Sequence, residues 1–553
     1  MRHLKKLLFC AAAACVFATT ALAAPALDGA RMKEDIRILS ADEFEGRAPA
    51  SAGEEKTIAY LVQQLKAAGV QPAGDLRPDG TRAYTQDVPL VRFATKGPVN
   101  VSVNVGGKTE TWTQGEQIAI RAAQTGVDRV TVKDAPVVFV GYGVTAPERN
   151  WDDFKGQDLK GKVALVLVND PDFETGQGDF GGKAMTYYGR WTYKFEEAAR
   201  RGAIGFLVIH ETEPASYGWN TVKNSNTNEI FDVIRKDPTE AHAPLEGWVQ
   251  RDNAVALFKA SGLDFEALKK QAQTREFKPV ELKGVTFSTD YAVDAQKVVS
   301  KNVVGVVPGA KRPDERVIYT AHWDHLGVGA PDARGDRIYN GALDNASGTA
   351  ALLELGRIFA KGPKPERSVM FLAVTAEEKG LLGSEYYADS PLYPLGKTVA
   401  VLNMDGVNLL GRAKDITMSG DAPLTLQDDM VRVAAKYGMT FTPDPNPQAG
   451  SFYRSDHFPF AKRGVPAISF GAGQNLENGG VAAGKAASEA YTRDKYHQPA
   501  DEFDPNWDMS GAIQEISVFH DLGAELANST RWPEWKPGAE FKEARDQTKA
   551  ERK

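Results

Sequence analysis

From residue 302 onward, short apolar runs rich in β-branched residues alternate with stretches of helical spacing. The runs lie at 317–321, 369–375, 399–404 and 467–470, and the helical stretches include 348–360 and 424–437. Runs this short and apolar suit strands covered on both faces, and such strands separated by helices pack as a mostly parallel sheet. The expected fold class is therefore α/β: a mixed, mostly parallel sheet flanked by helices. In open sheets of this kind, ligands bind in the crevice beyond the C-terminal strand ends.

Polar residues of one chemical type follow three of these runs. The first leads into His322-Trp323-Asp324-His325, the second into Glu377-Glu378 and the third into Asp405. In extended chain, residues i and i+2 point the same way. A metal-bound histidine commonly donates its second ring N–H to a carboxylate, so Asp324 can orient His322 as a ligand. Asp344-Asn345-Ala346-Ser347-Gly348 precedes the 348–360 helix. Asp344 can cap that helix, or it can bridge two cations with its two oxygens. Of the adjacent glutamates, one can bind metal while the other accepts a proton. His497 sits in a loop marked by Pro499 and Pro505, beside Tyr496, whose hydroxyl could donate to a developing oxyanion. Each motif alone is common; their order, and their positions after strands, give them weight.

Upstream, Met32, Ile36 and Leu39 share one helix face, as do Ile58, Leu61, Val62 and Leu65, with Gly69 placed as a stop. From about 99 to 291, short β-type runs dominate at 99–105, 136–140, 162–168 and 204–209, with a helix over 192–201. No acid–histidine constellation is evident there, and His210 and His242 read as isolated solvated or core residues. Beyond Arg531 the chain is rich in Trp and Pro and then in charge, which predicts a solvated helix or frayed end.

The first residues carry Arg2, Lys5 and Lys6, then an Ala-rich apolar stretch, then Ala21-Leu22-Ala23. That is the pattern of a cleavable secretory signal, so an exported protein is expected, periplasmic or secreted, with no stable membrane insertion after cleavage. Both cysteines, Cys10 and Cys15, fall in that signal. Disulfides are then absent from the mature chain, and a zinc site must use His, Asp and Glu. The net charge of −7 and the lack of a long basic run before the tail point away from nucleic acid.

Taken in order, His322-x-Asp324, Asp344 to Gly348, Glu377-Glu378, Asp405 and His497 resemble the M28 family of metallopeptidases. Asp42-Glu-Phe-Glu-Gly-Arg47 and Gly53-Glu-Glu-Lys56 are similar to its N-terminal segment, and Ser455-Asp456-His457-Phe-Pro-Phe460 with Gly464-Val-Pro-Ala467 to its late catalytic loop. Gly141-Tyr-Gly143 and Gly161-Lys-Val163 give the middle segment the look of a protease-associated (PA) domain. The resemblance implies a zinc exopeptidase-like fold. Its expected parts are a signal peptide (1–23), an N-terminal part of the catalytic domain (24–98), a PA-like insert (99–291), the main M28-like part (292–530) and a charged tail (531–553). It implies two zinc ions per chain held by His322, Asp344, Glu378, Asp405 and His497, with Asp344 as the bridge. It implies Glu377 as general base toward a zinc-activated water, Asp324 orienting His322, and Tyr496 or Tyr453 as the transition-state donor. A cis peptide after Asp344 is also implied. The implied activity is an aminopeptidase acting on peptides with a free N-terminus.

Three alternatives stay open on sequence. A carboxypeptidase on the same scaffold needs a cation for the substrate carboxylate, and Arg412, Arg454 and Arg493 are candidates. A glutaminyl-cyclase-like acyltransferase uses the same scaffold. A receptor-like binding protein of this fold typically lacks ligands, whereas all five are present here. His325 and His457 lie near the site by sequence, as supporting contacts or as packing.

Overall fold

The four apolar runs lie side by side. In this computed structural model, which describes residues 26–329, 331–420 and 422–552, they become the strands Arg312–His322, Arg367–Val374, Thr398–Asn403 and Ala467–Ala472. All four are parallel. Arg367–Val374 is buried at every position, so both of its faces are covered. After Arg312–His322 the chain builds one neighbour, Arg367–Val374, and then crosses to the other side to build Thr398–Asn403. This reversal of strand order opens a crevice at the C-terminal ends. His322 ends its strand abreast of Val374, and Thr320 lies abreast of Asn403. Three polar loops therefore leave the sheet at one level.

The helices follow their sequence signals. Gly29–Leu39 starts at Asp28, whose side chain accepts from the Arg31 N–H, and Ala52–Ala68 stops at Gly69 with φ 88°. Gly348–Lys361 and Ser510–Ala527 supply largely buried faces to the sheet. One apolar core collects residues from 32–73 and from 303–541.

A second core draws on residues 93–293. Here Arg129–Phe139, Val163–Leu167, Gly205–His210 and Leu245–Gln250 are also parallel, and the Trp191–Arg200 helix lies among them in sequence. Two long antiparallel strands, Thr85–Val105 and Val280–Val307, run between the cores. One end of Val280–Val307 pairs with Arg367–Val374 and the other with Arg129–Phe139, so one sheet spans both cores. A smaller apolar cluster joins Phe231 and Val233 to Ala376 and Leu382.

Two expectations are corrected. The C-terminal segment is not a frayed end: Trp535 and Phe541 are buried, the Trp535 indole N–H donates to the Gly464 carbonyl at 2.9 Å, and Arg545 is buried. Aromatic anchors spaced through a charged sequence hold it down. The middle segment does contain an acid–histidine group. His242 stands between Asp232 Oδ2 at 3.0 Å and Glu246 Oε1 at 3.3 Å, brought together by folding from separate strands. The signal peptide expected over 1–23, with Cys10 and Cys15, lies outside the described residues. Among the described residues, no helix is long and apolar enough to cross a membrane.

Candidate metal centre

His322, the last residue of its strand, is buried and held at both ends. Its carbonyl accepts from Thr349 Oγ1 at 2.8 Å. Its Nδ1 lies 3.1 Å from the Asp324 carbonyl, which turns Nε2 outward to Asp405 Oδ1 at 3.1 Å and Asp344 Oδ1 at 3.3 Å. The orienting group is thus the Asp324 main chain. The Asp324 carboxylate stands 3.9 Å from Nδ1, and its Oδ1 instead accepts the Glu377 N–H at 3.1 Å. This corrects the i, i+2 expectation: the strand ends at His322, so the regular alternation of extended chain does not carry on to Asp324.

Asp344 occupies a tight turn with a cis peptide to Asn345, as the resemblance implied. The Leu343 and Asp344 N–H groups both donate to the Asp501 carboxylate at 3.1 Å. Asn345 ties this turn to the Asp405 loop. Its Oδ1 accepts from Gly348 and Gly406 N–H groups at 2.9 Å, and its Nδ2 donates to the Met404 carbonyl at 3.0 Å. Asp405 is fixed by Ser455, whose hydroxyl donates to Oδ2 at 2.6 Å.

The second histidine arrives from a loop. His497 (φ 57°) places Nε2 3.3 Å from Asp344 Oδ2 and 3.1 Å from Glu378 Oε2. Glu378 Oε1 lies 2.7 Å from His325 Nδ1, at an angle outside hydrogen-bond geometry. The Asp344 carboxylate therefore faces one imidazole with each oxygen. His322 and Asp405 lie on one side, and His497 and Glu378 on the other.

The electrostatics follow from crowding. Burial opposes the charge on His322, but Glu377 and Asp405 outweigh it and hold the imidazole well above its usual range. His497 is likewise pushed up to about 10 against its burial, chiefly by Glu378. Asp344 is held well below the carboxylate range; burial alone would raise it, but hydrogen bonds from His322 and His497 prevail. Burial, reinforced by Asp405 and Glu378, pushes Glu377 well above that range. Without a cation, these carboxylates are offset by protons on His322, His497 and Glu377 and by the buried Arg47 charge. Two like charges ~4 Å apart repel by roughly 4 kcal/mol at an effective dielectric of 20. A cation placed among the same atoms relieves this without those protons. The donors His322, Asp344 and Glu378, and also His322, Glu377 and Asp405, lie within 4.8 Å of one another, close enough for each set to hold an ion. Nitrogen and oxygen donors without thiolate fit zinc as well as harder cations.

The two tyrosines separate. Tyr496 stacks on His497 with ring centroids 3.9 Å apart and is 40% exposed, and its hydroxyl lies within the field of Asp344 and Glu378. The Tyr453 hydroxyl donates to Glu540 Oε2 at 3.1 Å and is occupied by the C-terminal segment. His457 is buried against the Phe452 ring, and burial pushes it down to about 3, so it serves packing.

Two supporting residues had no role in the sequence reasoning. One is Asp501. The other is Arg47, buried with its guanidinium on the carbonyls of Leu39, Trp323, Asn340 and Gly341. Arg47 falls inside a motif that marked the resemblance, and nothing local to Asp501 distinguishes it.

Residues 302–519 match the model for Peptidase family M28. Aminopeptidase NAALADL1 of Rattus norvegicus is 31% identical over 490 residues, covering 73% of this chain and 59% of the relative. Aminopeptidase YwaD of Bacillus subtilis is 30% identical over 341 residues, covering 59% of this chain and 58% of the relative. The chain thus spans less than two thirds of the length of these curated relatives. Among solved structures, an aminopeptidase from Aneurinibacillus sp. strain AM-1 aligns over 90% of this chain and 93% of its own, at 20% identity and a TM-score of 0.49.

Proposed function

We propose, from the premise that residues 302–519 belong to Peptidase family M28, that this chain is an exported two-zinc aminopeptidase that removes N-terminal residues from peptides. The observation that carries the two-ion reading is Asp344, with Oδ1 3.3 Å from His322 and Oδ2 3.3 Å from His497. His322 and Asp405 would hold one ion, Glu378 and His497 the other, and Asp344 would be shared.

What the ions supply when bound is Lewis acidity: a polarised peptide carbonyl, and a water whose proton can be removed near neutral pH. Glu377 is the base in this reading. Its N–H is fixed on Asp324, and among the described residues its carboxylate accepts no hydrogen bond, so its oxygens are open to a proton. Burial among other carboxylates favours keeping that proton until the leaving amine takes it. Tyr496, partly exposed beside His497, is the donor toward the developing oxyanion, in preference to Tyr453.

Residues 99–291 are read as the PA-like insert, with 24–98 and 292–530 as the two parts of the catalytic domain. The separate cores support this division. Export rests on the signal pattern over 1–23.

The test pairs metal analysis with a substrate comparison. Purified protein should carry two zinc ions per chain and cleave peptides with a free N-terminus but not their N-acetylated forms. Cleavage of the blocked peptides alone would refute the aminopeptidase claim, and protein without bound metal would favour a binding role.

A further inference from the structure

Glu377 and Glu378 sit in a short loop that closes on itself. The Leu382 N–H donates to the Ala376 carbonyl and the Gly383 N–H to the Thr375 carbonyl, both at 3.0 Å, which pins the two ends of the loop together. Each end turns through left-handed backbone at a residue other than glycine: Ala376 has φ 53° and Leu381 has φ 61°. A Cβ makes that conformation unfavourable, and it persists only where the surroundings impose it. The long strand Val280–Val307 supplies one constraint. Its Asn302 side chain accepts the Thr375 N–H at 3.1 Å and donates to the Gly383 carbonyl at 2.9 Å.

A second constraint comes from the 99–291 segment. Its strand Ile230–Val233 pairs antiparallel with Thr85–Val105. Phe231 and Val233 share one face of that strand. With Val88 and Leu90 they gather Ala376 and Leu382 into one apolar cluster, in which Ala376 is fully buried. Lys379 Nζ, one residue past Glu378, lies 5.8 Å over the Phe231 ring. Asp232 belongs to the opposite face. There Arg235 Nε donates to its Oδ2 at 2.8 Å, and His242 Nε2 lies 3.0 Å from the same oxygen. The strand is thus locked on one side within its own segment and packed on the other against both ends of the glutamate loop. Apolar clusters at a junction between cores are ordinary. What sets this one apart is the loop it covers, which has two left-handed ends and carries two adjacent carboxylates of the site.

We propose that Phe231 and Val233 are positioning residues: the middle segment aims Glu377 and Glu378 by packing on the ends of their loop. Turnover and metal binding would then depend on this strand, and substrate affinity would not. The reaction is taken from the aminopeptidase reading, whereas the positioning is also read through zinc, without turnover.

The experiment uses the full chain loaded with zinc. It compares Phe231→Ala, Phe231→Leu and Val233→Ala with Phe258→Ala, which alters a buried residue of the second core outside this cluster. Each is assayed on Ala-Ala-Ala-amide below its own unfolding temperature, and zinc affinity is measured by competition with a chromogenic chelator. Phe231→Ala should lose ~10–100-fold in kcat with KM little changed, since a small misplacement of a reacting group costs that much. Its zinc affinity should fall ~10-fold, as when a group that orients a ligand is lost. Phe231→Leu should recover most of both, Val233→Ala should show smaller losses of the same kind, and Phe258→Ala should match the parent. If folded Phe231→Ala matches the parent in both readouts, or loses only in KM, or if Phe258→Ala loses as much, the positioning role is refuted and the aminopeptidase reading stands. Should Phe231→Ala fail to fold, Val233→Ala decides, and kcat and zinc affinity equal to the parent overturn the proposal. If the parent cleaves no peptide, yet Phe231→Ala weakens zinc and Phe258→Ala does not, the positioning stands and the aminopeptidase reading falls.

Discussion

Arg47 donates Nη2 to the carbonyl of Gly341 at 2.8 Å, three residues before Asp344. Through its other nitrogens it also holds Trp323, next to His322, and Asn340 and Leu39. One buried guanidinium therefore fixes the backbone of two ligand-bearing loops against the first helix. Hydrogen bonds to a charged group contribute about 1.5–3 kcal/mol each, and the carbonyls left behind are buried. Arg47→Met should destabilise the protein by roughly 3 kcal/mol or more in urea denaturation. A midpoint equal to that of the parent would mean that the carbonyls find other donors.

Asp501 performs the matching task from the opposite side, accepting from the N–H groups of Leu343 and Asp344. Asp501→Ala frees both donors and loosens the turn that aims the Asp344 carboxylate. Zinc affinity should fall about 10–100-fold, as for loss of other groups that orient ligands. Competition with a chromogenic chelator measures this directly, and unchanged affinity would show that the turn holds its shape alone.

If Glu377 is the base as proposed, Glu377→Gln should bind as much zinc as the parent and lose ~10²–10⁴-fold in rate, the range for removing a general base. Metal analysis and steady-state rates on one preparation suffice. Full activity in that variant would place the base elsewhere.

In the 99–291 segment, His242 should make stability depend on pH. Burial pushes its pKa down, but Glu246 and Asp232 more than offset this and hold it at about 9, above the usual 6.5. A raised pKa contributes stability that is fully present below about 6.5 and is lost as pH rises through about 9. At ~1.4 kcal/mol per unit, the contribution is roughly 3 kcal/mol. His242→Gln should therefore be clearly less stable than the parent at pH 6, and the gap should narrow by pH 10. A gap that stays constant across this range would mean that the imidazole is not charged in the folded protein.

The sheet and the five proposed ligands were legible because each strand is a short apolar run and its polar cargo follows directly in sequence. Helix ends at Asp28 and Gly69 were legible for the same local reason. Contacts that form only on folding were not. His242, four residues from Glu246 and ten from Asp232, meets both carboxylates only when separate strands pack. Asp324 orients His322 through a carbonyl, a group every residue has, so side-chain spacing pointed to the wrong atom. Tyr453 looked equivalent to Tyr496 until Glu540 claimed its hydroxyl, and that glutamate lies in a segment whose charge suggested a free end.

The paired strands Thr85–Val105 and Val280–Val307 have a mechanical consequence. Because Val280–Val307 is laced to Arg367–Val374 at one end and to Arg129–Phe139 at the other, the two cores are welded by main-chain hydrogen bonds rather than joined by a linker. Swinging one core away from the other as a rigid body would mean tearing that ladder. The apolar contact of Phe231 and Val233 with Ala376, the residue before Glu377, braces the same junction. Movement near the metal centre is thereby confined to loops such as those carrying Arg454 and Tyr496.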